Sequence, residues 1–124
     1  MSTTIGKNKS TTDAVMERDN FACFRCGASI LTRIHVLHER RPGPALGTVA
    51  NTIILCGNPT TECNQKVRAN PVLSQKLGYS IPPTADPLRV PVFHYAHGFV
   101  LLDRAGSWHR AHQRVIDGWE DECD

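Results

Sequence analysis

The sequence predicts a small α+β fold stapled by four cysteines, with a β-hairpin appended on its C-terminal side. Three observations carry this reading. Two cysteine pairs, Cys23-x2-Cys26 and Cys56-x6-Cys63, are separated by 29 residues. Two short runs with strand composition, 33–38 (RIHVLH) and 52–55 (TIIL), fall between the pairs, and helix-forming segments flank them. A further run, VPVFHYAHGFVLLD at 90–103, reads as the hairpin. A chain of 124 residues makes one small domain with a modest core, so a metal staple would add needed stability.

Taken in order, 1–12 is a polar arm that holds Lys7 and Lys9 and suits contact with a partner or a phosphate. It has no apolar segment of the kind found in a signal peptide or anchor. Residues 12–20 (TDAVMERDN) predict a short helix, with Thr12 as cap and Asp13 at its positive end. FACFRCG, 21–27, is a tight knuckle. The 40–48 stretch (RRPGPALGT) has two Pro and two Gly and reads as a loop. CGNPTTEC makes the second knuckle. A helix follows over 61–69, capped by Thr60 or Thr61, then restarts or kinks at Pro71 and ends near Gly78. The organisation is thus a 1–12 arm, a 13–78 core, a 79–106 Pro-rich linker and hairpin, and a 107–124 segment with an acidic tail. Pro91 favours an edge strand, and Trp108–Ile116 has helical character.

The formal charge is only +2, but it is unevenly placed. All 14 Lys and Arg lie within 1–116 with 7 of the 12 acids, which leaves +7 there. The last eight residues, DGWEDECD, hold five acids and no base. A basic body of this kind suits DNA or another polyanion, and equally an ordinary solvated surface. No apolar run approaches the roughly 20 residues that span a bilayer, and no motif points to a small-molecule substrate.

Five cysteines is an odd count, which disfavours a disulfide framework. The reading preferred is four thiolates on one structural Zn²⁺, held by Cys23, Cys26, Cys56 and Cys63, with Cys123 a spare exposed thiol. Four sulfurs satisfy tetrahedral zinc and leave no open position for chemistry. Two buried pairs, or a redox-active CxxC, are the alternatives. His94 and His97 flank the hairpin turn and read as exposed. His109 and His112 are three apart on the expected C-terminal helix, a spacing that is metal-like and equally common on a plain surface. Trp108, Trp119 and Phe99 read as packing residues.

The order CxxC, strand ending in histidine, Asn before a strand ending in Cys, and a last Cys opening a helix resembles the zinc-stapled HNH (ββα-metal) endonucleases. It is most similar to small HNH proteins of actinobacterial phages. The resemblance runs from about Val15 to Asp103 and rests also on Arg40-Arg41-Pro42, ANTIILCG (50–57), TTEC (60–63) and ADP…VPV…GFVLLD (85–103). It implies a ββα-metal core and hydrolysis of DNA phosphodiesters, with one divalent cation on the scissile phosphate and a histidine base activating water. His38 falls on the first His, a metal-ligand place, and Glu39 falls on the base. Asn51 matches the middle Asn that fixes the loop, and Asn64 stands where the last His would be. His38 and Asn64 would then hold Mg²⁺ or Mn²⁺. A second register makes His38 the base with His35 its neighbour. A solvated carboxylate, with a pKa near ~4.3, is a weaker base than imidazole at neutral pH. Arg40, Arg41, Lys66 and Arg68 are the residues expected to meet DNA phosphates.

These readings give a metal-dependent endonuclease with an altered active site. The alternative is a catalytically inactive HNH-fold protein kept for DNA binding or as a virion component, in contact with phage packaging or virion proteins. The corresponding location is host cytoplasm or virion. A zinc-ribbon interaction module without DNA is a third reading.

Overall fold

A computed structural model describes residues 10–43 and 47–123. Lys7, Lys9, the rest of the 1–9 arm and the middle of the 40–48 loop lie outside them. The chain forms α1 (Thr11–Arg18), β1 (His35–Glu39), a 3-10 turn (Val49–Asn51), β2 (Thr52–Cys56), α2 (Glu62–Ala69) and α3 (Pro71–Lys76). It continues with β3 (Val92–His94), β4 (Gly98–Leu102), β5 (Trp108–Arg110) and α4 (Gln113–Cys123). The architecture is α+β, with two small antiparallel sheets, β1-β2 and β3-β4-β5.

The β1-β2 ribbon is the spine. Its register pairs His38 with Ile53 and Glu39 with Thr52. Cross-strand partners share a face and neighbours along a strand alternate. One face carries Val36, Ile53 and Leu55 into a cluster with Cys23, Phe24, Cys56, Cys63, Val67 and Tyr79. The other carries Leu37 and Ile54 against Val15 of α1 and Ile30. All of β2 is buried, which explains its unbroken apolar run. Each large aliphatic side chain so buried contributes about 1.5–3 kcal/mol.

The three-stranded sheet joins the first cluster through Val92, Val100 and Leu102. Pro91 sits just before β3, an edge strand, as its missing N–H requires. The 79–87 stretch is no loose tether: Tyr79 and Ile81 are buried, and the Tyr79 hydroxyl donates to the Phe93 carbonyl at 2.7 Å.

Several local expectations change. Ser10, not Thr12, caps α1, its hydroxyl accepting the Asp13 N–H at 3.1 Å. Thr61 precedes α2, but its hydroxyl accepts from the Asn58 N–H at 2.9 Å and so closes the second knuckle instead. Trp108–Arg110 is a strand, not a helix, because Leu102 and Leu101 offer it a ladder. The acidic tail, in turn, is helical. His109 therefore lies in β5 with its Nε2 hydrogen-bonded to Asp103 at 2.8 Å, while His112 precedes α4 and its Nδ1 accepts the Arg114 N–H at 3.1 Å. The two do not share a helix. His94 and His97 are half-buried: Phe24 meets His94 edge to face, the two imidazoles stack on one another, and His97 stacks on Trp108.

Candidate metal centre

Left-handed backbone residues stand at the start of the first knuckle and inside the second. Asn20 and Phe21 have φ of 54°, and Glu62, just before Cys63, has 52°. Such conformations cost energy and persist where the surroundings over-determine them. They turn the chain so that all four thiols face one point. Gly57 is needed for the second turn: its φ is +90°, and a Cβ there would strike the backbone of Thr61.

The ligand sulfurs of Cys23, Cys26, Cys56 and Cys63 all lie within 4.8 Å of one another. Cys26 Sγ and Cys56 Sγ are 3.7 Å apart. That is far beyond a disulfide and matches the edge of a tetrahedron of sulfurs about 2.3 Å from a central ion, an edge of about 3.8 Å. The four thiols thus fit a metal ion. Cys23, Cys56 and Cys63 are buried and Cys26 is exposed. Burial pushes Cys23 and Cys56 up to about 11. Burial acts upward on Cys26 too, but the Ala28 amide and the neighbouring sulfurs outweigh it and bring its pKa down. Arg25 Nη1 donates to Cys63 Sγ at 3.4 Å. A guanidinium beside four thiolates offsets negative charge that a divalent ion leaves over. Sequence reasoning passed over Arg25; its place inside the first knuckle is the signal that marks it.

The second group of expected site residues is divided by the ribbon. His38 lies on the face of β1 toward α2 and Tyr79. Its Nε2 meets the Tyr79 carbonyl at 2.6 Å, so Nε2 carries the proton. Burial lowers the His38 pKa; the Tyr79 carbonyl opposes this, and Arg68 and Arg40 add to it. The Asn64 side chain is 2% exposed, and its Oδ1 accepts the Arg68 Nε–H at 3.0 Å. Glu39 faces the other way. Its Oε1 accepts from the Gly47 N–H at 2.9 Å and from Asn51 Nδ2 at 3.1 Å; its Oε2 lies 3.2 Å from the Thr52 hydroxyl, which donates to the nearer Thr48 carbonyl at 2.8 Å. The structure therefore brings His38 near Asn64 and Arg68 and sets Glu39 apart from them.

Asn51 is fully buried and fixes the loop between the strands: Oδ1 accepts the Arg41 N–H at 2.8 Å, and Nδ2 donates to the Arg41 carbonyl at 3.0 Å. Arg40, expected at a phosphate, is 1% exposed. Its guanidinium donates to the carbonyls of Gly78, Ala50, Pro87 and Val90 at 2.8–3.1 Å. It is an internal strut and is withdrawn from the DNA-facing set. Arg41 is half-buried, with Nη1 on the Ala85 carbonyl at 2.8 Å. Lys66 and Arg68 are exposed on α2.

No family model, curated protein or solved structure matches this chain.

Proposed function

We propose that this chain is a DNA-binding protein on a zinc-stapled, HNH-like ββα-metal core that does not cut DNA. The resident metal in this reading is Zn²⁺: four thiolates in a tetrahedron with no open position suit it, and its contribution is to hold the two knuckles against the ribbon. One observation carries the non-catalytic part. Glu39, at the place of the base, lies on the opposite face of β1 from His38, with Oε1 held by the Gly47 N–H and Asn51 Nδ2, and Asn64 Oδ1 is taken by Arg68. A carboxylate so held is poorly placed to draw a proton from a water beside His38. The binding part is supported by the basic excess of 1–116 and by the exposed Lys66, Arg68, Arg104, Arg110 and Arg114. Among the described residues no helix is long and apolar enough to cross a membrane.

The test is incubation of zinc-loaded protein with supercoiled plasmid in Mg²⁺ and then Mn²⁺, beside a gel-shift on duplex DNA. The expected result is a shift without nicking, and continued silence in Glu39→His, whose ring would point away from His38. Nicking by the unaltered chain that disappears in His38→Ala overturns the reading in favour of the endonuclease.

A further inference from the structure

Arg68 leaves α2 one turn after Asn64, the (i, i+4) spacing that places two side chains on one helix face. Asn64 is held inside the protein and takes only the Nε–H of Arg68, at 3.0 Å. That single bond orients the plane of an otherwise exposed guanidinium. Nη1 and Nη2 make no hydrogen bond to any described residue. A guanidinium with its inner nitrogen anchored and its outer edge open presents two parallel donors, the geometry that matches two oxygens of a phosphate. Arg68 also lies close enough to His38 to act on its charge state. The neighbourhood in which a divalent cation would rest against His38 and Asn64 thus already contains a fixed positive charge. That charge repels a second cation and attracts an anion.

We propose that Arg68, anchored by Asn64 beside His38, takes the place of a divalent ion in this fold and receives a DNA phosphate directly, so that phosphate binding needs no added metal. This rests on the DNA-binding reading above. Arg68 is the contact and Asn64 a positioning residue: it presents the guanidinium and touches no phosphate itself.

The experiment measures fluorescence anisotropy of a labelled duplex with the zinc-loaded full chain, over a salt series, in Mg²⁺-free buffer and again with Mg²⁺. Wild type should bind in the Mg²⁺-free buffer, and no more tightly when Mg²⁺ is added. Arg68→Gln keeps a hydrogen bond to Asn64 but no charge, so it should weaken binding about tenfold and reduce the salt slope by about one. Arg68→Lys should fall between the two. Asn64→Ala should weaken binding a few-fold with an unchanged salt slope, because the charge remains and only its placement is lost. Circular dichroism and zinc content confirm that each variant is folded. Wild-type binding that requires Mg²⁺, or an Arg68→Gln protein with unaltered affinity and slope, overturns this proposal and leaves the DNA-binding reading standing. No binding by wild type in any buffer removes both.

Discussion

Arg40 gives the sharpest test of whether the buried or the surface reading is right. Its side chain is fully enclosed, and four of the five guanidinium N–H groups end on backbone carbonyls from the 3-10 turn, the end of α3 and the 87–90 segment. Burial without a carboxylate partner pulls its pKa down to about 9 from 12.5. In Arg40→Met the four carbonyls lose their donors, at about 1–3 kcal/mol each. Removing a desolvated cation returns part of that, on the order of 5 kcal/mol judged from the pKa displacement. Taking the middle of the carbonyl range, the balance is a loss of about 3 kcal/mol, a large share of the 5–15 kcal/mol typical of a whole domain. Urea unfolding of zinc-loaded protein, followed by tryptophan fluorescence, should show a midpoint lowered by about 1–2 M with little change in slope. Arg40→Lys should fare almost as badly, since one ammonium cannot reach three separate segments. A midpoint within about 0.3 M of wild type, together with weakened DNA binding, would refute the argument and return Arg40 to the surface.

Four further outcomes follow from the same geometry. Strong chelation should unfold the chain, with loss of its circular dichroism signal, because metal-binding energy is folding energy, about 10–16 kcal/mol in zinc-finger peptides. Metal uptake should release protons, and affinity should fall as pH falls, since Cys23 and Cys56 are held near 11 without an ion and must lose their protons to bind one; a zinc-release titration reads this. Cys63→Ser should abolish tight zinc binding, whereas Cys123, expected exposed but half-buried against Ile81, Val90 and Trp119, should on change to Ser cost about 1 kcal/mol and leave zinc binding intact. Gly27→Ala should cost about 1–3 kcal/mol by thermal melt, because φ is +83° and the new Cβ would lie 2.6 Å from the Tyr95 ring. His94 is lowered to about 4 by burial first, then by His97 and Arg18, and its Nδ1 accepts the Ala96 N–H at 3.0 Å. The unfolded chain then binds a proton that the native state refuses, so stability is present above pH 6.5 and is lost as pH falls toward 4. His94→Gln should flatten that slope in urea melts at pH 7 and pH 5.

Much of the frame was legible because it rests on local chemistry. The cysteine spacing marked the quartet, the apolar 52–55 run marked the buried strand, and Pro71 and Gly78 bounded the third helix. What was hidden depends on the third dimension. Arg40 and Arg41 look alike in sequence, yet one is wholly enclosed and the other half-exposed, because strand alternation and the fold of 78–90 decide which guanidinium finds carbonyls. Arg18 is another case: it pairs with Asp19 at 2.6 Å and donates to the Val49 and Thr52 carbonyls, contacts more than 30 residues away that no spacing announces. The resemblance placed His38 and Glu39 in one site, but consecutive strand residues face opposite ways. The C-terminal helix was expected over Trp108–Ile116 and lies at Gln113–Cys123, and the shift has a physical reason. Gly118 is a poor helix former, and Glu120, Asp121 and Glu122 sit at the negative end of the helix dipole, so local preference opposes a helix that tertiary packing imposes.

That last helix touches the body chiefly through Trp119, with Cys123 packed beside it. Trp119 is buried against Ile81 and Val90, with its indole N–H on the Gln75 carbonyl at 2.9 Å, while most other α4 positions are exposed. A segment attached by so few side chains, with unfavourable end charges, opens by itself at a fraction of the global unfolding free energy. Amides of 113–123 should therefore exchange with solvent through this separate opening, and those of β2 only when the whole domain comes apart. The chain thus behaves as two cooperative units of unequal durability, and a protease could trim the smaller without releasing the metal from the larger.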